Sequence, residues 1–233
     1  MDINFLLLFL FAHLLGDFVL QTDKIAYMKA CGLKGIAVHC VIVTAVQTLL
    51  MGLFGFRGIL AGLAGGVIHF LIDYLKVLSG RLARRTQFIF FIFDQALHIT
   101  VITILSIIFS SPRNGFNSYT IYIRYFIGII VLAYVSTVAV KIILRDFIDR
   151  VRREAFFRKN ERYIDSLTAV ALWLILFLPT ILACILALVL LPVYIKIQRE
   201  KLDYDIMVAA IKYPILMSSA CLVFFLIAGN KTI

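Results

Sequence analysis

Four histidines, His13, His39, His69 and His98, lie in the first 98 residues of the chain, each inside a strongly apolar segment. Three have an aspartate four positions away: Asp17 follows His13, Asp73 follows His69, and Asp94 precedes His98. Ionisable groups at bilayer depth cost on the order of a few kcal/mol each, so they normally face a protein interior, a partner or a water-filled cavity. Neutral imidazole together with carboxylate suits borderline divalent ions such as zinc, iron, manganese or nickel. Seven such side chains exceed the four to six positions around one ordinary ion. They suit two ions, or one ion with aspartates orienting the histidines from behind. An ion of this kind lowers the pKa of a coordinated water and supplies a nucleophile at neutral pH.

The elements that must position these groups follow from composition. Hydrophobic residues make up 63% of the 233, charged residues only 15%, and the mean hydropathy is +1.02, values that exclude an ordinary soluble enzyme. Seven apolar blocks stand out, near 3–20, 35–54, 58–78, 87–109, 122–144, 164–195 and 206–228. All but the sixth approach the ~20 residues a helix needs to cross the hydrocarbon core. Backbone polar groups cannot go unpaired in lipid, so the expected fold is an all-α, polytopic transmembrane bundle of six or seven spans. The sixth block is too long for one straight span and slightly short for two. Pro179 at its centre removes a backbone donor, which leaves a re-entrant hairpin or a bent, tilted helix. Residues 1–110 form a four-helix unit that carries the site; residues 111–233 supply the C-terminal helices and a basic connection at 145–163.

Orientation follows from the basic residues. Lys24, Lys29 and Lys34 occupy the first connection, Arg81, Arg84 and Arg85 the third, and Lys141, Arg145, Arg150, Arg152, Arg153, Arg158, Lys159 and Arg162 the region of the fifth. The second and fourth carry little beyond Arg57, Arg113 and Arg124. The positive-inside rule makes the odd connections cytoplasmic and puts the N-terminus outside. The start of the chain has no basic region or small-residue cleavage site, so it reads as a retained first span. The expected location is a bacterial inner membrane. The net charge of +10 sets this topology and also attracts anionic lipid or phosphate. No nucleic-acid partner is expected, and the sequence leaves the oligomeric state open.

On this topology each aspartate lies nearer the cytoplasm and its histidine about one turn deeper, although the order reverses in the fourth helix. That places His13, His39, His69 and Asp94 in one layer on the order of 10 Å thick. Residues four apart share a helix side, so each pair can face a common centre. Gly58, Gly62 and Gly66 continue the His69–Asp73 stripe, and small residues at this spacing let membrane helices approach closely. Gly16 lies beside the first pair. Gln21, Gln87 and Gln95 are candidate supporting polar groups, and Asp94 is a candidate ligand or general base. Residues 13–19 and 69–75 resemble each other, which suggests a duplicated hairpin in which Gly35 stands at the position corresponding to Asp94. Cys31, Cys40, Cys184 and Cys221 lack C-x-x-C spacing and read as free thiols; Cys40, adjacent to His39, is expected on a different helix face.

The set His13-Leu-Leu-Gly-Asp17-Phe with Gln21, His69-x-x-x-Asp73 and Asp94-Gln95-x-x-His98 resembles a bacterial family of polytopic membrane proteins of unknown function, over about residues 5–110. The rest is ordinary hydrophobic sequence. A looser analogy links the pattern to membrane-bound metal-dependent hydrolases. Three readings stand side by side. The leading one is metal-dependent hydrolysis at the inner leaflet, on a lipid phosphate ester, using zinc, manganese or iron. The second is a divalent-cation or proton transporter. The third is a structural or partner-binding subunit held together by His–Asp bonds.

Overall fold

A computed structural model describes residues 2–79, 87–110, 119–147, 160–202, 204 and 206–228. Among these residues the regular structure is entirely helical, in two compact units, residues 1–127 and 128–233. The division falls within a helix, later than the expected boundary at 110. Arg81, Arg84, Arg85, Arg113 and the stretch 148–159 of the basic connection lie outside the described residues.

Unit 1 contains α1 (Ile3–Leu14), α2 (Asp23–Cys31), α3 (Leu33–Met51), α4 (Phe56–Ser79) and α5 (Gln87–Phe109). It also holds the start of α6 (Thr120–Ile130). The apolar blocks set these helices, and α5 matches its expected bounds. Two local features depart from expectation. Leu15–Val19 is a π-helical turn, so the first block does not run as a uniform α-helix. The first connection is itself helical: α2 leaves the α1 segment at 89°. Its start is capped by Thr22 Oγ1, which accepts from the Ile25 amide. Gly32, with φ +145°, then makes the turn into α3, a backbone conformation that residues with a Cβ avoid.

A core of Phe5, Leu8, Phe9, Met51, Phe54, Ala61, Ile102 and Leu105 binds α1, α3, α4 and α5 together. Their outer faces remain apolar; Val41 is 68% and Leu49 77% exposed. Soluble monomers rarely leave such continuous apolar surface uncovered, whereas a bilayer solvates it.

Unit 2 holds the rest of α6, a second π turn (Val131–Val135), α7 (Ser136–Phe147), α8 (Glu161–Ile175), α9 (Thr180–Leu202) and α10 (Ile206–Ala228). The sixth apolar block is α8 and α9 with a break at 176–179, where Pro179 cannot donate to a continuing helix. Asp165, near the start of α8, meets Tyr194 and Gln198, near the end of α9. The two helices therefore run antiparallel, and the structure selects the hairpin over the bent single helix. Lys196, Arg199 and Lys201 thus return to the end of the hairpin where Glu161 begins it. Among the described residues, six helices are long and apolar enough to cross a bilayer, or seven if the broken α1–α2 segment counts as one span. The chain is a multi-pass helical membrane protein.

Candidate metal centre

All seven expected histidines and aspartates converge in unit 1. His39 is fully buried, and His13, Asp17, His69, Asp73, Asp94 and His98 are each at most 7% exposed. The π turn decides where the first pair acts. His13 Nε2 lies 4.0 Å from Asp17 Oδ2, too far for a hydrogen bond. Asp17 Oδ1 lies 3.0 Å from His39 Nε2 on α3 instead. A π turn holds one more residue than an α turn and occurs often at functional sites. Its Gly16 allows close approach to α3, since a Cβ there would stand 3.0 Å from Val43 Cα.

The stripe on α4 works as expected, with a shift in its partners. A Cβ on Gly62 would fall 2.5 Å from Thr48 Cα, and one on Gly66 2.0 Å from Thr44 Oγ1. The α3 and α4 backbones are therefore in close contact through this stretch. One turn further along the same seam, His69 Nε2 faces His39 Nε2 at 3.2 Å. The last step of the seam sets Asp73 Oδ2 3.8 Å from Cys40 Sγ, so Cys40 borders the cluster, against the expectation for it. Residues 39 and 40 both reach the centre because α4 crosses α3 over them. Gly58 acts differently: its Cβ would strike Met51 O and Phe54, so it closes the α3–α4 turn rather than extending the seam. Gly65, which the sequence did not single out, makes room for Phe9 and Gln47.

The donor atoms fit a first-row ion. His39 Nε2 lies 3.0 Å from Asp17 Oδ1, 3.2 Å from His69 Nε2 and 3.5 Å from Asp73 Oδ2. His69 Nε2 lies 3.9 Å from Asp17 Oδ1 and 3.3 Å from Asp73 Oδ2. Donors about 2.0–2.1 Å from a tetrahedral ion are roughly 3.3 Å apart, and the observed distances bracket that edge. Asp17, His39 and His69 form one candidate triad; Cys40, His69 and Asp73 form a second, and Asp73, Asp94 and His98 a third. His98 is oriented for ligation: its Nδ1 donates to the Asp94 carbonyl at 2.7 Å, which leaves the Nε2 lone pair aimed elsewhere. That Nε2, both nitrogens of His13, Nδ1 of His39 and of His69, and Asp94 Oδ1 are buried without a hydrogen-bond partner. Between His13, His69 and His98 lies a cavity of about 10 Å³, bordered also by Gln47 and Gly65, on the scale of one water or one ion.

Two lysines close the cluster. Lys29 Nζ donates to Asp73 Oδ2 at 2.6 Å, and Lys76 Nζ to Asp94 Oδ2 at 2.5 Å. The sequence reading placed Lys29 among topology-setting charges and did not consider Lys76. The signal was a lysine three residues past Asp73, on the same helix side, and another on the connection that leads into α3. Gln95 reaches the cluster, donating to Asp94 Oδ2 at 3.2 Å and to Asp17 Oδ2 at 3.5 Å. The other glutamines do not behave this way. Gln87 is exposed at the first turn of α5, and Gln21 keeps a buried Oε1 with no hydrogen-bond partner. Both sit at helix ends, where the i, i+4 row runs past the layer that holds the site.

A second buried ionic cluster occupies unit 2, where the sequence reading expected only ordinary hydrophobic helices. Glu161 accepts from Lys141 and Lys212, at 3.1 Å each, and from Tyr204 at 2.8 Å. Asp165 Oδ1 accepts from Tyr194 and Gln198, and its Oδ2 lies 2.7 Å from Lys212 Nζ as an ion pair. Single lysines inside two apolar blocks, with an acid pair at i, i+4, were the available signal.

The helices and the buried ionisable layer define the class: a multi-pass helical membrane protein with a His/Asp centre in its N-terminal unit. Residues 5–127 match the family model described as "Protein of unknown function (DUF3307)", and the chain belongs to that family. No curated protein and no solved structure matches it.

Proposed function

We propose that unit 1 is a metal-dependent hydrolase of the inner leaflet of a bacterial cytoplasmic membrane, acting on an anionic lipid phosphate ester. The observation that carries this reading is the set of five donor separations of 3.0–3.9 Å among His39, His69, Asp17 and Asp73, beside orphaned imidazole nitrogens. These four residues would hold a zinc, manganese or iron ion, and His13 with His98 would serve a second. When bound, such an ion supplies a hydroxide nucleophile at neutral pH. Asp94, with one oxygen held by Lys76 and Gln95 and the other without a hydrogen-bond partner, would take the proton lost as water becomes hydroxide and return it to the departing alcohol oxygen of the ester. Lys76, 38% exposed, and Lys29, 15% exposed, stand at the rim and meet the incoming phosphate, releasing Asp94 and Asp73 as they turn.

The 10 Å³ cavity favours a second reading, cation transport, because it admits an ion and not a lipid. One experiment separates the two. Detergent-purified protein is analysed for metal, then assayed for phosphate release from lipid phosphates in mixed micelles and for metal flux into liposomes. Hydrolysis predicts stoichiometric metal and phosphate release, both lost in His69→Ala. Flux without phosphate release moves the assignment to transport. Metal-free protein that is destabilised by His69→Ala, with neither flux nor phosphate release, excludes both and leaves a structural subunit held by His–Asp bonds.

A further inference from the structure

The end of α9 and the start of α10 enclose an open cavity of about 800 Å³ in unit 2, well apart in sequence from the His/Asp centre. Its volume lies within the range of small-molecule sites. Its walls are of two kinds. Pro192, Ile195 and Ile206 make an apolar side, and Lys196 and Arg199, three residues apart on one helix side, make a cationic side. Glu200 is the one acid among the described lining residues, and it lies 3.9 Å from Lys196 with both side chains largely exposed. An exposed pair of that length contributes little and yields easily to a stronger anion. Arg199 has no ion pair among the described residues, and its planar guanidinium can hold two phosphate oxygens at once.

The buried cluster makes the back wall rigid. Tyr204 lines the cavity but is only 2% exposed, and its hydroxyl is fixed between Lys141 Nζ, at 3.2 Å, and Glu161. Lys212 Nζ sits 4.8 Å from the Tyr204 ring centroid on the side of the cluster. The cavity therefore stays open beside a pinned aromatic wall, at the point where an apolar span ends in basic residues. A molecule that joins a phosphate to an apolar body matches both walls, and basic cavities between membrane helices take such headgroups.

We propose that this cavity binds the phosphate headgroup of an anionic phospholipid, as a site separate from the metal centre and independent of its assignment. The test is native mass spectrometry of delipidated full-length protein titrated with phosphatidylglycerol or phosphatidylcholine. One phosphatidylglycerol per chain is expected to be retained in preference to phosphatidylcholine. The double substitution K196Q/R199Q should weaken that binding about 30-fold. R57Q, an exposed arginine of unit 1, should leave it unchanged. Three results overturn the proposal: equal retention of the two lipids, equal loss in R57Q, or retention unaffected by K196Q/R199Q. Protection of Arg199 from a guanidine-reactive reagent by inorganic phosphate as strong as that by phosphatidylglycerol overturns the lipid as occupant.

Discussion

In unit 1, four imidazoles and three carboxylates share a buried layer in which five imidazole nitrogens and one carboxylate oxygen have no hydrogen-bond partner. In unit 2, two ammonium groups face two carboxylates, and every carboxylate oxygen has a partner among Lys141, Lys212, Tyr194, Tyr204 and Gln198, Asp165 Oδ2 through its ion pair with Lys212 alone. The two clusters differ in what is left over. A saturated, charge-balanced cluster has no lone pair to offer a ligand and acts on the helices that carry it. A cluster with unpartnered imidazole nitrogens keeps unused donor capacity, as the proposed ion site requires. Saturation, more than the number of buried charges, separates a scaffold from a site.

The largest effect that tests this contrast is Glu161→Ala. It removes the shared acceptor of two buried lysines and should cost about 3–5 kcal/mol, because uncompensated ammonium groups stay buried. Thermal unfolding in detergent measures it, and a shift equal to that of a surface substitution would break the comparison. His39→Ala should act mainly on the metal. Metal content should fall to a tenth or less, by analogy with the 10–100-fold losses seen even for residues that only orient ligands. Between metal-free proteins the cost should be about 1–3 kcal/mol, for the hydrogen bond to Asp17 that is lost, and so smaller than that of Glu161→Ala. Gly62→Ala comes next: its Cβ meets Thr48 Cα at 2.5 Å, so α3 and α4 must separate at a cost of about 1–3 kcal/mol. That separation also pulls His39 from His69, so metal affinity should drop alongside stability; a loss of one without the other would show that the seam does not set the site. Gln87→Ala, at an exposed position, should change stability by less than about 0.5 kcal/mol and leave metal content unaltered.

The sequence disclosed the helices because lipid demands long apolar runs, and it marked the seven histidines and aspartates that the fold brings together because charge inside such runs is rare. The i, i+4 rule located the α4 pair, with His69 3.3 Å from Asp73; at Asp94 and His98 the imidazole bonds the Asp94 backbone carbonyl instead of the carboxylate, and at His13 and Asp17 the carboxylate turns to His39 on α3. Lys29 and Lys76 escaped because connection lysines carry a topological signal that masks any other role. The unit 2 cluster escaped for a related reason. Glu161 lies at the edge of a strongly basic stretch, and Lys141, Lys212 and Tyr204 share no spacing with it that a single helix would impose. Only the antiparallel return of α9 beside α8, and the packing of α10 against both, brings them together. Pro179 announced a break in the sixth block, but the direction of the chain beyond it depends on those long-range pairings.

The π turn at Leu15–Val19 also makes the proposed metal centre sensitive to the length of the reading frame. Removing one codon, that for Leu15, would close the turn into ordinary α geometry and carry the Asp17 carboxylate roughly 100° around the helix axis, out of reach of His39. The variant would retain every ionisable side chain and an almost identical hydropathy profile while losing the bond that joins the first helix to the third. Single-residue gaps at this point in an aligned relative would thus signal altered chemistry where substitutions alone show none.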